Sequence, residues 1–272
     1  MKLKKVGIIG CGAIGKALAN FIDQQLSDKI KIAALCDLDY SKAKYLSGLL
    51  KKSRPKVTQI DSLIASCDLV IEAASAKISR DIVNKCISKK KDVLVMSVGG
   101  LILKYKALFE KARKKGINIY LPSGAICGLD GLKALSLSKI DSVTLITRKP
   151  PQSLEGADFF RFRKISLANI KKEKDVFVGN AKDAIKYFPK NINVAMLLSI
   201  AGLGVEKTKV IIKTSPNFKT NSHEIIIQSK AGTIRTLSDN VAFKENPKTS
   251  YLAALSAMVV LRGIFDRIKI GN

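Results

Sequence analysis

The sequence predicts an α/β chain: a doubly wound parallel sheet in its first half, then a second, α+β domain built on a mixed sheet. Three observations predict it. The apolar run KVGII (5–9) leads straight into a glycine-rich turn and a segment with helical spacing. Apolar runs alternate with helical segments from there to residue 125, the mark of a parallel sheet with crossover helices. From residue 142 the pattern changes to alternation of apolar and polar residues, as in strands of a half-exposed sheet.

The turn after the first strand reads Gly10-Cys11-Gly12-Ala13-Ile14-Gly15, and KALANFIDQQL (16–26) follows with helical spacing. In a strand–turn–helix setting each glycine has a separate task. Gly10 makes the tight turn, Gly12 lets backbone approach a pyrophosphate, and Gly15 lets the helix lie close to the strand. The phosphates then face free N–H groups at the positive end of the helix. The second strand, KIAALCDLD (31–39), carries Asp37, 22 residues after Gly15, where an acidic side chain is expected to hold a ribose 2′-hydroxyl. Strand, turn, helix and acid in register predict a Rossmann-type dinucleotide site. A carboxylate there repels a 2′-phosphate and favours NAD, while nearby Lys42 and Lys44 keep NADP possible.

Alternation continues through SLIASC (62–67), DLVIEAAS (68–75), ISRDIVNKCISKK (78–90), DVLVMSVGGL (92–101), KYKALFEKARKKG (104–116) and INIYLPSGA (117–125). Ligands of such sheets sit outside the carboxyl ends of the strands. The small residues there (Ala73, Ala74 and Ser75, Ser97, then Ser123, Gly124 and Ala125) are therefore expected to line the nicotinamide half of the cofactor site.

In the second half, SVTLITRK (142–149), KTKVIIKTS (207–215), HEIIIQS (223–229) and TIRTLSD (233–239) read as strands, the last two joined as a hairpin through KAG. NINVAMLLSIAG (191–202) reads as a helix. NPKTSYLAALSAMVVLRGIF (246–265) reads as another, with Asn-Pro at its start, returning to the first domain. The expected organisation is a dinucleotide-binding domain, 1–123 plus 246–272, and a catalytic and dimerisation domain, 124–245.

Composition narrows the function classes. Five cysteines without CxxC spacing and a single histidine argue against a disulfide framework and against a metal site, and for a reducing, cytoplasmic compartment. No apolar run reaches the ~18 residues a membrane span needs. The formal charge of +26 suits capture of anionic ligands. Its lysines are scattered rather than clustered or interleaved with aromatics, so nucleic acid is not expected as a partner.

Taken in order, GIIGCGAIG (7–15), SVGGL (97–101), PSGAICGLDGLKA (122–134), NINVA (191–195), NSHEI (221–225) and NPKTSYLAALS (246–256) resemble the L-aspartate dehydrogenases from end to end. One departure is Gly100, where the family pattern has alanine; it is expected to perturb little. The resemblance implies a Rossmann domain with a sheet domain that pairs into a homodimer, and oxidation of L-aspartate to iminoaspartate with NAD or NADP. The imine then yields oxaloacetate and ammonia or feeds quinolinate and NAD biosynthesis. It also implies that His223 is catalytic and that Ala125 and Asn193 contact the nicotinamide end.

The chemistry suits an imidazole, because hydride leaves the α-carbon only once the amine has lost its proton, and imidazole can accept that proton. Glu224 alternates to the opposite strand face and is not expected to partner His223. The substrate carboxylates need cations or N–H donors. Lys248, Thr249 and Ser250, read as the start of the last helix, are the first candidates, with Arg148 and Lys164 as alternatives. Two other functions fit the same outline: a homoserine dehydrogenase-like enzyme of the aspartate pathway, and a non-enzymatic NAD-binding regulator with a basic surface for nucleic acid.

Overall fold

The computed structural model describes residues 3–163, 166–188, 192–243 and 246–270. They divide into two compact units. One holds the residues up to Pro122 together with Ala254–Lys269, the other Ser123–Ala253.

The first unit is a six-stranded parallel sheet of β1 (Lys4–Ile9), β2 (Ile30–Cys36), β3 (Lys56–Val57), β4 (Leu69–Glu72), β5 (Asp92–Val95) and β6 (Ile119–Tyr120), in the order β3-β2-β1-β4-β5-β6. Its strands are short continuous apolar runs because both faces are covered: Val6, Ile8, Leu35, Leu69, Val70, Ile71, Val93 and Leu94 are fully buried. Strand order reverses between β1 and β4, the position outside the carboxyl ends of the strands at which doubly wound sheets bind their ligands. The connections carry the helices Ala13–Gln25, Tyr40–Leu49, Ile60–Ser66, Ala76–Ser88 and Tyr105–Lys115. Ala254–Lys269 return here. Ala254, Ala257 and Leu261 are fully buried, and the Arg262 guanidinium donates to Gln25 Oε1 (3.2 Å) while lying over the Phe21 ring (5.6 Å to its centroid).

The second unit is a five-stranded mixed sheet of β7 (Ile140–Lys149), β8 (Lys174–Asn180), β9 (Lys209–Thr214), β10 (Asn221–Ser229) and β11 (Gly232–Asn240), in the order β11-β10-β7-β9-β8. β7 and β9 run parallel; the other pairs are antiparallel. β10 and β11 form the hairpin that their alternation predicts, with Ser229 opposite Gly232. One face is covered by the helix Leu129–Leu135: Gly131 abuts Ile234 and Gly128 abuts Thr236 so closely that neither has room for a Cβ. β8 is not evident in the sequence. It is an edge strand with a Gly179 interruption, and its inward anchor is Phe177, which packs with Phe159 and Phe188 at ring separations of 5.3–5.5 Å.

The segment 246–265 departs from the sequence expectation. Asn246–Ser250 is a strand, β13, paired with β12 (Ala242–Phe243), and the helix begins only at Tyr251, running to Phe265. Asn-Pro is compatible with either outcome, since proline suits both a first helical turn and an edge strand. The ladder decides: Tyr251 N–H donates to Val241 O (2.9 Å), and the Tyr251 ring meets Phe243 edge-on at 5.0 Å.

Gly100 also differs from expectation. A Cβ at this position would lie 2.2 Å from the Ala76 carbonyl oxygen. Glycine here lets the turn Val98–Leu101 press onto the start of the helix Ala76–Ser88 more closely than alanine allows.

Candidate active site

In the first unit the glycine turn is built as its sequence demands. Gly10 has φ +97°, open to glycine, and a Cβ there would strike the Ala73 carbonyl oxygen at 2.4 Å, the loops from β1 and β4 being in contact. Gly15 is buried, and a Cβ on it would fall 1.8 Å from the Gly10 carbonyl oxygen. Gly12 is exposed, with nothing within 4 Å of where its Cβ would be. Half-buried Ala13 and Ile14 open the helix, which has neither an acidic residue in its first turn nor a side-chain cap on its N–H groups. The turn therefore presents an open backbone and an uncompensated positive helix end, and a dinucleotide pyrophosphate fits both.

Asp37 closes one side of this turn. Its Oδ2 accepts from Cys11 N–H (2.6 Å) and its Oδ1 from Asp39 N–H (2.9 Å). Burial, with Asp37 and Cys36 nearby, pushes the Cys11 thiol up to about 12, so the turn adds no negative charge of its own. Of the two lysines weighed above, Lys42 reaches back to the Asp39 carboxylate (3.8 Å).

Glu72, at the end of β4, is a group the sequence reading passed over. It is fully buried, and its carboxyl accepts from Ala74 N–H (2.9 Å), Ser97 N–H (3.0 Å) and the Ser79 hydroxyl (3.1 Å). Burial raises it above the ordinary carboxylate range, against the pull of those donors. One side chain thus ties together the loops carrying Ala73, Ala74 and Ser97. The available signal was an acid set within the apolar run LVIEAA (69–74).

In the second unit, the covered face of β7 runs Val143, Leu145, Thr147, Lys149, all buried. It passes from hydrocarbon to polar groups at one end, and its neighbours do the same. Thr147 lies opposite His223 of β10, His223 opposite Ser238 of β11, Asn221 opposite Asn240, and Lys149 opposite Thr214 of β9. Residues directly opposed across a ladder share a face, so the register assembles a polar end to a sheet core. His223 is 7% exposed, and its Nδ1 lies 3.0 Å from Thr147 Oγ1. The Ser238 hydroxyl donates to the Ala125 carbonyl (2.9 Å) and Asn240 Nδ2 donates to the same oxygen (3.1 Å), which brings Ala125 to this end. Asn221 Oδ1 is buried and accepts from no donor among the described residues.

Burial, and secondarily the Lys149 charge, pushes His223 down to about 3; burial alone pushes Lys149 down to about 8. The imidazole is therefore neutral across the working pH range. An unfolded histidine takes up its proton near pH 6.5, so between pH 6.5 and 3 the unfolded chain binds more protons than the native one. Stability should be full above that window and lost as pH falls through it, by up to about 1.4 kcal/mol per pH unit. Thermal melts from pH 7 to pH 4 should fall more steeply for the wild type than for His223→Asn. Parallel slopes would show that the site admits the proton.

Other residues singled out above lie elsewhere. Glu224 and Arg148 occupy the opposite sheet face. Burial opposes ionisation of Glu224, but Arg148 (2.7 Å) and Arg235 (2.5 Å) outweigh it and hold its carboxyl below the ordinary range. Arg148 is thus engaged away from His223. Asn193 is exposed on the first turn of the helix Ile192–Ala201. Lys248, Thr249 and Ser250 begin no helix: they belong to β13, and the Ser250 hydroxyl donates to Asn240 Oδ1 (2.6 Å). The Lys248 side chain and Lys164 lie outside the described residues.

Comparison with known proteins gives this arrangement relatives. The family described as "Aspartate dehydrogenase, C-terminal" matches residues 130–264, and "Homoserine dehydrogenase, NAD binding domain" matches 10–122. An L-aspartate dehydrogenase from Methanosarcina barkeri is 42% identical over 270 residues, covering 98% of this chain and 99% of that protein. The chain belongs to the L-aspartate dehydrogenase family. A second relative in the family, from Methanocaldococcus jannaschii, is 44% identical over 276 residues, with 98% and 99% covered. The crystal structure of the Thermotoga maritima aspartate dehydrogenase superposes with a TM-score of 0.75 at 26% identity, over 99% of this chain and 100% of that one. A homoserine dehydrogenase from Thiobacillus denitrificans shares the fold alone, at a TM-score of 0.62 and 16% identity, over 99% of this chain and 76% of that one.

Proposed function

We propose that this chain oxidises L-aspartate to iminoaspartate with a nicotinamide dinucleotide, and that His223 is the base. The observation that carries the assignment of the base is a buried, neutral imidazole held at Nδ1 by Thr147. A neutral imidazole has one N–H and one acceptor nitrogen. With Nδ1–H donated to Thr147 Oγ1, Nε2 keeps its lone pair and takes the proton from the substrate ammonium. The dinucleotide, when bound, accepts the α-hydrogen as hydride. Hydride loss from the neutral amine leaves an iminium. His223 releases its first proton to solvent, then takes one from the water that adds to the iminium and gives it to the leaving nitrogen as the adduct collapses to oxaloacetate and ammonia. The product can instead leave as the imine and feed quinolinate and NAD biosynthesis.

In this reading Gly10, Gly12, Ala13, Ile14 and Gly15 hold the pyrophosphate, Asp37 the ribose, and Ala73, Ala74 and Ser97 the nicotinamide side, with Ala125 and Asn193 contributing to the same end. The reading brings with it a homodimer, from the family resemblance, and a cytoplasmic setting, supported by five cysteines that are all free thiols. A homoserine dehydrogenase reading has behind it the family match of the NAD-binding half, 10–122, and a shared fold, but nothing from the second half of the chain. The decisive assay is NADH formation from L-aspartate and NAD by the purified protein, with homoserine as the control substrate.

Asp37 is proposed to favour NAD over NADP by charge. Asp37→Asn keeps an oxygen for Cys11 N–H and removes the charge. Its ratio of kcat/KM for NADP over NAD should rise roughly tenfold, the equivalent of about 1.4 kcal/mol. An unchanged ratio would assign cofactor choice to other residues.

A further inference from the structure

We propose that the side-chain ammonium of Lys149 is the cation that receives a substrate carboxylate beside His223. The proposal deepens the aspartate-oxidising reading and rests on it. Three observations support it.

The first is place. Lys149 ends the covered face of β7, two residues beyond Thr147 and on the same side, at the polar end that holds His223, Ser238, Asn240 and Asn221. Lysine is among the residues least often buried, and at 9% exposure it occupies a position the preceding rungs fill with Val143 and Leu145. A buried charge close to a buried titratable group, as Lys149 is to His223, is a mark of function.

The second is need. An amino dicarboxylic acid brings two negative charges, and a neutral imidazole offers none in return. Of the basic residues considered for the carboxylates, Arg148 faces the other side of the sheet and is held by Glu224.

The third is electrostatic economy. Among the described residues of the sheet, the titratable groups registered at this end of the face beside Lys149 are buried His223 and, beyond Thr214, the exposed Lys174 of β8. The Lys149 charge holds His223 down, and burial holds Lys149 down. A carboxylate arriving at Lys149 acts on both: it sets an opposite charge beside the ammonium and cancels the field that opposes a proton on the imidazole. His223 thereby becomes a stronger base in the complex than in the free protein. Substrate binding and proton removal are coupled through one lysine.

The test compares wild type, Lys149→Met and Lys149→Arg. Methionine replaces a buried cation with an apolar chain of similar length and is expected to fold; Lys149→Arg keeps the charge if it does not. Each protein is assayed for NADH binding, for kcat and KM with L-aspartate, and for binding of succinate in the presence of NADH. The expected result is unchanged NADH affinity, a KM raised on the order of 10²-fold and succinate affinity lost by a similar factor in Lys149→Met, with partial recovery in Lys149→Arg. Wild-type oxidation of aspartate with KM and succinate affinity within threefold of wild type in Lys149→Met overturns the proposal and leaves the function standing. A wild type inert on aspartate that binds succinate through Lys149 supports the carboxylate site and overturns the substrate assignment. A wild type that neither oxidises aspartate nor binds succinate overturns both.

Discussion

Replacing His223 by alanine should lower kcat for L-aspartate oxidation by about 10²–10⁴-fold, the usual contribution of a positioned acid–base group. NADH affinity should stay near wild type, because the glycine turn and Asp37 belong to the other unit. The imidazole contributes through its orientation as well as its presence. Thr147→Val removes the Nδ1 partner while preserving shape, releases the tautomer, and should cost on the order of tenfold in kcat, in line with about 1.4 kcal/mol. Steady-state kinetics with a parallel fluorescence titration of NADH measure both. Full activity in His223→Ala would retain the enzyme and remove this mechanism.

The second large effect is a contrast between two glycines three residues apart. In Gly15→Ala the new methyl falls 1.8 Å from the Gly10 carbonyl oxygen, a backbone atom fixed by its own contact with the Ala73 loop. The turn and helix must separate, at about 1–3 kcal/mol, and NADH binding should drop below detection. In Gly12→Ala the methyl meets nothing within 4 Å, so stability should hold within about 0.5 kcal/mol while NADH affinity falls, the methyl occupying the approach of the pyrophosphate. Calorimetric melting and NADH titration of both variants separate the two glycines. Equal loss of stability would mean that the turn is not built as described.

These contrasts also mark what a sequence can convey. The glycine turn was legible because its constraints are local. Gly10, Gly15 and Asp37 stand at spacings that only one strand–turn–helix path accommodates, and the structure closes Asp37 onto Cys11 N–H. The β10–β11 hairpin was legible for the same reason. Thr147 and Lys149 were not, although RK at 148–149 is plain in the sequence, because their relation to His223 depends on how β7 and β10 register across 76 residues of chain. Alternation did place Thr147 and Lys149 on the face of Val143 and Leu145, and polar residues at buried rungs were the signal to follow. The 246–250 segment misled because its apolar periodicity begins just downstream. The ladder to Val241 and Ala242 overrides the Asn-Pro start. Gly100 looked neutral because sequence does not reveal that the Ala76 carbonyl stands 2.2 Å from where a methyl would go.

The return of Ala254–Lys269 to the first unit sets an order of events on the ribosome. The parallel sheet is synthesised before the mixed one, yet the helix that carries buried Ala254, Ala257 and Leu261 into its unit emerges only after all of Ser123–Ala253. At translation rates of about 5–20 residues per second the delay is on the order of 10 s. During it the nascent chain leaves uncovered the surface at Phe21 and Gln25 on which Arg262 will lie. Of the two units, the one with the parallel sheet is thus begun before the other and completed after it, and a chaperone that shields this surface would act on the half-made chain.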